Sequence, residues 1–217
     1  MKTVAFIPIK LNNERLPGKN IKKLYDGTPL IHLIQKACLA ARHIDEVYVF
    51  CSDTAIQEYL LDGILFLQRP AWLDGNTVTV NQLITEFMKL VDAGIYIMTH
   101  ATAPFATAKS FEVCIEKVAS GEFDSAFCAS KIQSFLWKDG APLNYDPGNV
   151  PRTQDLVPLY KESSNAYVFT KSLFVEYGRR VGFNPFLYIT GEIEAFDIDN
   201  PEDFEIANLL YKELAGK

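Results

Sequence analysis

Short apolar runs rich in Val, Ile, Phe and Tyr recur at Val4–Ile9, Glu46–Cys51, Ile64–Leu67, Ile95–Thr99, Ser125–Ala129, Ala166–Phe169 and Glu194–Ile198. Runs of this length, bounded by polar and turn residues, predict buried strands. Between them the apolar positions change to helical spacing. Leu30, Ile31, Leu33, Ile34, Ala37 and Leu39–Ala41 predict a helix from about Pro29 to Arg42, and Val80, Leu83, Ile84, Phe87, Met88 and Val91 predict a second. Phe111, Cys114, Ile115 and Val118 mark a third. Thr54-x-x-Gln57 has the form of a capping box after the second strand. The last helix is the most clearly signalled: Asn200 as N-cap, Pro201 at the first helical position and Asp203 at the third, followed by Phe204, Ile206, Ala207, Leu210 and Leu214.

Alternating strand and helix predicts a three-layer α/β fold, because parallel strands need crossover connections and helices are the usual cover for both faces of the sheet. Ligands of such sheets lie beyond the carboxyl ends of the strands. The chain, 217 residues, reads as one domain over residues 1–217 with an irregular excursion at about 132–165. Within it, Lys138-Asp139-Gly140-Ala141-Pro142 and Asp146-Pro147-Gly148-Asn149 are turn-rich. This stretch is either an arm over the site or a long surface hairpin.

Composition removes several classes of function. Cys38, Cys51, Cys114 and Cys128 are widely spaced, with no C-x-x-C and only three histidines, so they predict buried reduced thiols rather than a disulfide framework or a zinc site. No apolar run approaches the roughly 18 residues of a membrane span, and the opening run meets Lys10 without a cleavage signature. The expectation is a cytoplasmic protein without a membrane partner. A net charge of −6 argues against nucleic acid, yet Lys2, Lys10, Arg15, Lys19, Lys22 and Lys23 face only Glu14 within the first 23 residues. Positive charge gathered at one end of the first strand of an acidic protein suggests an anion site there, although terminal lysines also serve solubility.

Three features can carry chemistry. The loop Lys10-Leu11-Asn12-Asn13-Glu14-Arg15-Leu16-Pro17-Gly18-Lys19-Asn20 leaves the first strand at the ligand edge. It matches neither G-x-x-x-x-G-K-[ST] nor G-x-G-x-x-G, which disfavours a P-loop ATPase and a dinucleotide dehydrogenase. Lys10 and Lys19 can neutralise a polyphosphate, and Asn12, Asn13 and Asn20 can hydrogen-bond a base, ribose or phosphate. Asp197-Ile198-Asp199 precedes the last helix. If that run is a strand, both carboxylates share one face with alpha carbons roughly 6.5–7 Å apart, a pair suited to Mg²⁺ with waters and substrate phosphates. Asp199 can equally serve the helix dipole. The third feature is Arg152-Thr153-Gln154-Asp155 with Lys161 beyond it, where an arginine can grip a carboxylate bidentately or form an ordinary salt bridge. Arg69 and His100 end two further strand-like runs and point to the same edge.

Together these residues resemble the acylneuraminate cytidylyltransferase family, the CMP-sialic acid and CMP-Kdo synthetases. The likeness runs from Val4 to about Leu210. Pro8, Lys10, Asn12, Leu16, Pro17, Lys19, Asn20 and Ile21 resemble the family's nucleotide loop, and Asp197-Ile198-Asp199-x-Pro201-x-Asp203 its closing motif. Ser52-Asp53, Arg69-Pro70-Ala71-x-Leu73, Thr102-Ala103-Pro104 and Arg152-x-Gln154-Asp155 resemble intervening signatures. The resemblance implies a Rossmann-like nucleotidyltransferase fold, with a mostly parallel sheet and a small dimerisation arm that reaches over the neighbouring subunit's site in a homodimer. By similarity, Lys10, Asn12, Lys19, Asn20 and Arg69 would hold CTP, Lys10 and Lys19 acting in catalysis, and Asp197 and Asp199 would hold Mg²⁺. His100, Arg152, Gln154 and Lys161 would hold the acceptor. The implied reaction transfers CMP from CTP to an acidic sugar of the sialic type. Kdo, or a phosphonate or phosphorylated small molecule, is the alternative acceptor, and a non-catalytic nucleotide-binding regulatory module the alternative class. The family commonly has Arg where this chain has Lys10 and Gln where it has His100, and such departures cluster on the acceptor side.

Overall fold

A computed structural model describes residues 1–216. The strand β1 (Thr3–Ile9) lies inside a 7-stranded sheet and is almost wholly buried, as its unbroken apolar run requires. Helix α1 (Ile31–Ala40) carries the chain to β2 (Glu46–Cys51), which pairs with β1 in parallel, Val4 opposite Glu46 and Ile9 opposite Cys51. The strand β3 (Ile64–Gln68) adds outside β2. Helix α2 (Val80–Leu90) then returns the chain to the other side of β1, where β4 (Ile95–Met98) pairs in parallel. After α3 (Ala108–Ala119) the chain skips one position and forms β5 (Ser125–Ile132).

The gap is filled from the opposite direction. From the carboxyl end of β5 the chain makes an excursion containing a two-stranded hairpin, β6 (Trp137–Lys138) and β7 (Ala141–Pro142). It returns as β8 (Leu159–Thr170), antiparallel to both β4 and β5. Helix α4 (Lys171–Tyr177) and β9 (Pro185–Thr190), parallel to β5, complete the order β3-β2-β1-β4-β8-β5-β9, and α5 (Pro201–Ala215) ends the fold. The expected mostly parallel α/β sheet is present, with β8 as the antiparallel member. Because β5 exits and β8 enters at the carboxyl edge of the parallel strands, the irregular segment stands at the ligand edge.

Two apolar clusters cover the two faces of the sheet. One gathers Ile7, Val49 and Ile97 with Ile34 of α1 and Phe111 and Ile115 of α3. The other centres on Phe87 of α2, stacked on Phe6 with ring centroids 4.3 Å apart and edge-on to Tyr48, Phe50 and Tyr96. A third cluster joins the two ends of the chain: Leu16, Leu24 and Leu30 pack with Ile198, Phe204 and Ala207.

Three local expectations are corrected. Glu194–Ile198 is not a strand. A turn closes from Ala195 N–H to Gly191 C=O at 2.9 Å, and Phe196 and Ile198 alternate because both pack into the third cluster rather than onto the sheet. The outer strand is β9, a run rich in aromatic and β-branched residues that was not read as one. At Thr54 the capping group is the Asp53 carboxylate, which accepts from Ala55 N at 2.9 Å and opens a 3-10 helix over Thr54–Tyr59. The reciprocal capping box forms instead between Thr79 and Gln82, at the start of α2. The first helix is also shorter than read, Ile31–Ala40 against about Pro29–Arg42.

Phe87 is fully buried and makes four aromatic contacts, so Phe87→Ala should lower the unfolding free energy by about 3–5 kcal/mol. Equilibrium denaturation in urea measures this; a loss below about 1 kcal/mol would show that the cluster does not support the sheet.

Candidate nucleotide site at the carboxyl edge

The loop after β1 is held by its own polar residues. Asn20 is buried, and its Nδ2 donates to Lys10 C=O at 3.0 Å and to Asn13 Oδ1 at 3.5 Å, which closes the loop on itself. Leu16 anchors it in the third cluster. Gly18, at φ +65°, permits the left-handed turn into a 3-10 helix over Lys19–Ile21. Glu14 turns away from the loop and accepts from Asn76 Nδ2 at 2.6 Å, while Lys10 Nζ donates to Asn76 Oδ1 at 3.3 Å. Asn76 therefore separates the carboxylate from the ammonium.

Two clefts open beside this loop. One, of about 290 Å³, is lined by Lys10, Arg69, Asn76, Met98 and His100. The other, of about 430 Å³, is lined by Asn12, Ser52, Asp53 and Asp74. Arg69 is buried and grips Asp74 through Nε at 3.1 Å and through Nη2, and Asp74 also accepts from Ser52 Oγ at 2.5 Å. The guanidinium thus braces the cleft wall from within. Of the residues expected to touch a nucleotide, Lys10, Asn12 and Arg69 line these clefts, Arg69 while also bracing a wall, whereas Asn20 closes the loop and, like Lys19, lines neither.

The spatial convergence of the two chain ends is present. Lys19 Nζ donates to Ile198 C=O at 2.7 Å, across 179 residues, and stands 3.8 Å from Asp199 Oδ1. Burial lowers the Lys19 pKa, opposed chiefly by Asp199 and Asp197. Asp197 Oδ2 accepts from Ser164 Oγ at 3.0 Å, while its Oδ1 is buried with no hydrogen-bond partner. Asp199 is half exposed, 3.3 Å from Arg15 Nη1. Backbone contacts fix the segment: Ile198 N donates to Thr102 C=O at 2.9 Å, and Asp203 accepts from Asp199 N and Asn200 N. Glu194 accepts from Thr107 N and Oγ1 and from Ser110 Oγ at the start of α3, while Asn165 Nδ2 donates to the Glu194 carbonyl at 2.7 Å. No motif along the chain singles out Glu194, Ser164 or Asn165, whose roles come from contacts made across the fold.

A third cleft, of about 840 Å³, contains Asp197, Asp199 and Asp203 together with Lys131, Gln133 and Lys161. Lys161 thus shares a cleft with the paired aspartates. Gln154 stands near the rim, its carbonyl accepting from Gln133 Nε2 at 2.9 Å. Arg152 is exposed, forks onto Asp155 at 2.7 and 2.9 Å, and lines none of these three clefts. Its ordinary salt bridge is the arrangement observed.

The carboxylates of the closing motif are the candidate ligands for Mg²⁺. Among the described residues no group of three or more His, Cys, Asp or Glu side chains gathers to ligate a metal. An orphaned carboxylate oxygen on Asp197 beside a half-exposed Asp199 nevertheless fits a cation that keeps waters and takes its other ligands from phosphates. The four cysteines are buried and free, and among the described residues no helix is long and apolar enough to cross a membrane.

The fold and this edge define an α/β protein of the nucleotidyltransferase type. The chain belongs to the cytidylyltransferase family, whose sequence model matches residues 4–215. It is 26% identical over 213 residues to the N-acylneuraminate cytidylyltransferase of Oncorhynchus mykiss, covering 94% of this chain and 49% of that protein. The chain therefore spans about half the length of that relative. Over 226 residues it is 23% identical to a pseudaminic acid cytidylyltransferase of Campylobacter jejuni, covering 98% of this chain and 97% of that one. A solved structure of CMP:2-keto-3-deoxy-manno-octonic acid synthetase complexed with CTP shares the fold, with a TM-score of 0.74 at 18% identity, covering 98% of this chain and 99% of that one.

Burial pushes the His100 imidazole down to about 4, with Asp197 opposing the shift, and its Nε2 makes no hydrogen bond within the protein. Between the ordinary value near ~6.5 and about 4, the unfolded chain takes up a proton that the folded chain refuses. Acidification through that window therefore removes stability that is fully present above it. NMR titration of the imidazole resonances should place His100 near 4; a midpoint of ~6 or above would show a solvated ring.

Proposed function

We propose that this chain is a Mg²⁺-dependent cytidylyltransferase that transfers CMP from CTP to a sialic-type nonulosonic acid. The observation that carries the reading is the convergence of Lys19 with Asp197-Ile198-Asp199 beside a loop that offers Lys10 and Asn12. The relatives named for N-acylneuraminate and pseudaminic acid support the acceptor class.

In this reading Lys10 and Lys19 meet the triphosphate and neutralise the charge that accumulates as pyrophosphate departs. An acceptor oxygen attacks the α-phosphorus in line, the bond from that phosphorus to the bridging oxygen breaks, and the acceptor's proton passes to solvent or base. Arg69 and Asp74 keep the nucleotide cleft in shape. Asn20 keeps the loop closed so that Lys19 is presented toward the closing motif. Asp197 and Asp199 would hold Mg²⁺, which supplies charge neutralisation and orientation of the phosphates when bound. Lys161 and His100 border the acceptor region, with Gln154 at its rim. The excursion exposes Trp137, Leu143 and Val157, apolar side chains that a second copy would cover in a homodimer.

Pyrophosphate release from CTP and Mg²⁺, measured with N-acetylneuraminate, Kdo and a phosphonate as separate acceptors, tests the reading. Release is expected with the nonulosonic acid. Release with Kdo or the phosphonate alone would reject that acceptor, and CTP binding without release under any condition would reject the enzyme. Lys19→Met should lower turnover by about 100-fold or more while CTP still binds, and unchanged turnover would remove its role at the leaving group.

A further inference from the structure

Most arginines of this chain are matched to acids. Arg15 pairs with Asp199, Arg42 with Glu112, Arg69 with Asp74 and Arg152 with Asp155. Arg179 and Arg180, just beyond α4, have no ion pair among the described residues. Arg179 is exposed, donates its Nε to Val181 C=O at 2.9 Å and lies over the Phe183 ring, whereas Arg180 is partly buried against the sheet. Its guanidinium carbon sits 3.6 Å from the Tyr167 ring centroid, and Nη1 meets only the Met98 thioether, 3.7 Å away. A guanidinium carries five N–H donors, so a thioether and a ring face leave most of its hydrogen-bonding capacity unused.

The bed beneath it is built. Tyr167 is buried between β4 and β5, and its hydroxyl donates to Glu162 at 2.9 Å, which fixes the ring on which Arg180 rests. Met98 lies two residues before His100 and lines the same cleft as Lys10. Burial lowers the His100 pKa, and Arg180 adds to that effect. Through Met98 the guanidinium meets the cleft that also contains His100. An unpaired cation pre-oriented on an aromatic face, in contact with a residue that lines the cleft of Lys10 and His100, is a receptor for a planar anion.

We propose that Arg180 binds the carboxylate of the acceptor, the task the sequence offered to Arg152. This rests on the cytidylyltransferase reading for the identity of the ligand, a sugar acid, and it names the residue that tells the acid from a neutral sugar. Arg180 acts on acceptor binding and leaves CTP binding to the loop after β1.

The test compares wild type, Arg180→Met and Arg180→Lys. N-acetylneuraminate, Kdo and the methyl ester of each serve as probes, in equilibrium binding and in pyrophosphate release. Wild type should bind at least one acid about 10- to 100-fold more tightly than its ester, the span expected from charge-assisted hydrogen bonds. Arg180→Met should abolish that preference, Arg180→Lys should restore it in part, and the KM for CTP should stay within about twofold of wild type. Retention of the acid preference by Arg180→Met would overturn the proposal, as would a KM for CTP that rises with that for the acceptor, or a wild type that prefers neither acid. Acid preference lost in Arg180→Met, in a protein that releases no pyrophosphate, would uphold Arg180 and reject the transferase. Pyrophosphate release with the preference intact in Arg180→Met would do the reverse.

Discussion

The bond from Lys19 Nζ to the carbonyl of Ile198 is the contact on which the site depends. It joins the loop after the first strand to the segment before the last helix, which the sheet alone would not bring into register. A buried ammonium is costly unless hydrogen-bonded and faced by negative charge, and here a carbonyl and two carboxylates meet that demand. The apolar residues do the rest: Leu16 on one side and Ile198 and Phe204 on the other share a cluster. Polar tie and apolar seal therefore coincide, and the chemistry-bearing residues sit at the join of the two chain ends.

The arrangement of cations explains how an acidic chain presents an anion edge. Arg69 and Arg152 are consumed by neighbouring carboxylates, and Asn76 holds Glu14 away from Lys10. Positive charge is left where the clefts open: Lys10 beside the nucleotide loop, Lys161 in the third cleft, and Arg180 on its aromatic support, while Lys19 is faced by Asp199 at 3.8 Å. What matters for ligands is which cations lack an internal acid, and a count of basic residues cannot supply that.

Much of this was legible along the chain, for physical reasons. Buried parallel strands leave unbroken apolar runs, which is why β1, β2, β4 and β5 stand out, and the Asn200-Pro201 start of α5 follows from capping chemistry. Lys19 and the paired aspartates were identified by type and spacing. Glu194–Ile198 misled because alternation reports two environments, not a strand; here the inward side is the third cluster. At Arg152 the sequence allows a carboxylate grip or a salt bridge, and the structure shows the salt bridge, to an acid three residues away. Arg180 was invisible because its significance lies in the absence of an acid, and only tertiary structure shows which arginines have been paired.

The correction at Glu194–Ile198 changes how the two aspartates can work. On a strand they would have been equivalent neighbours on one face. On the observed irregular segment they differ: Asp197 is held by Ser164 with one oxygen buried and unpartnered, while Asp199 is half exposed against Arg15. An exposed ion pair of that kind contributes at most about 1 kcal/mol and gives way readily to a stronger cation. An orphaned buried carboxylate oxygen, by contrast, is an unfavourable state that an incoming cation or proton would relieve. In the proposed reading Asp197 would be the fixed ligand and Asp199 the exchangeable one, now paired with Arg15. The asymmetry comes from the turn at Gly191–Ala195 and the Glu194 anchor on α3, so residues that touch no substrate set the roles of those that would.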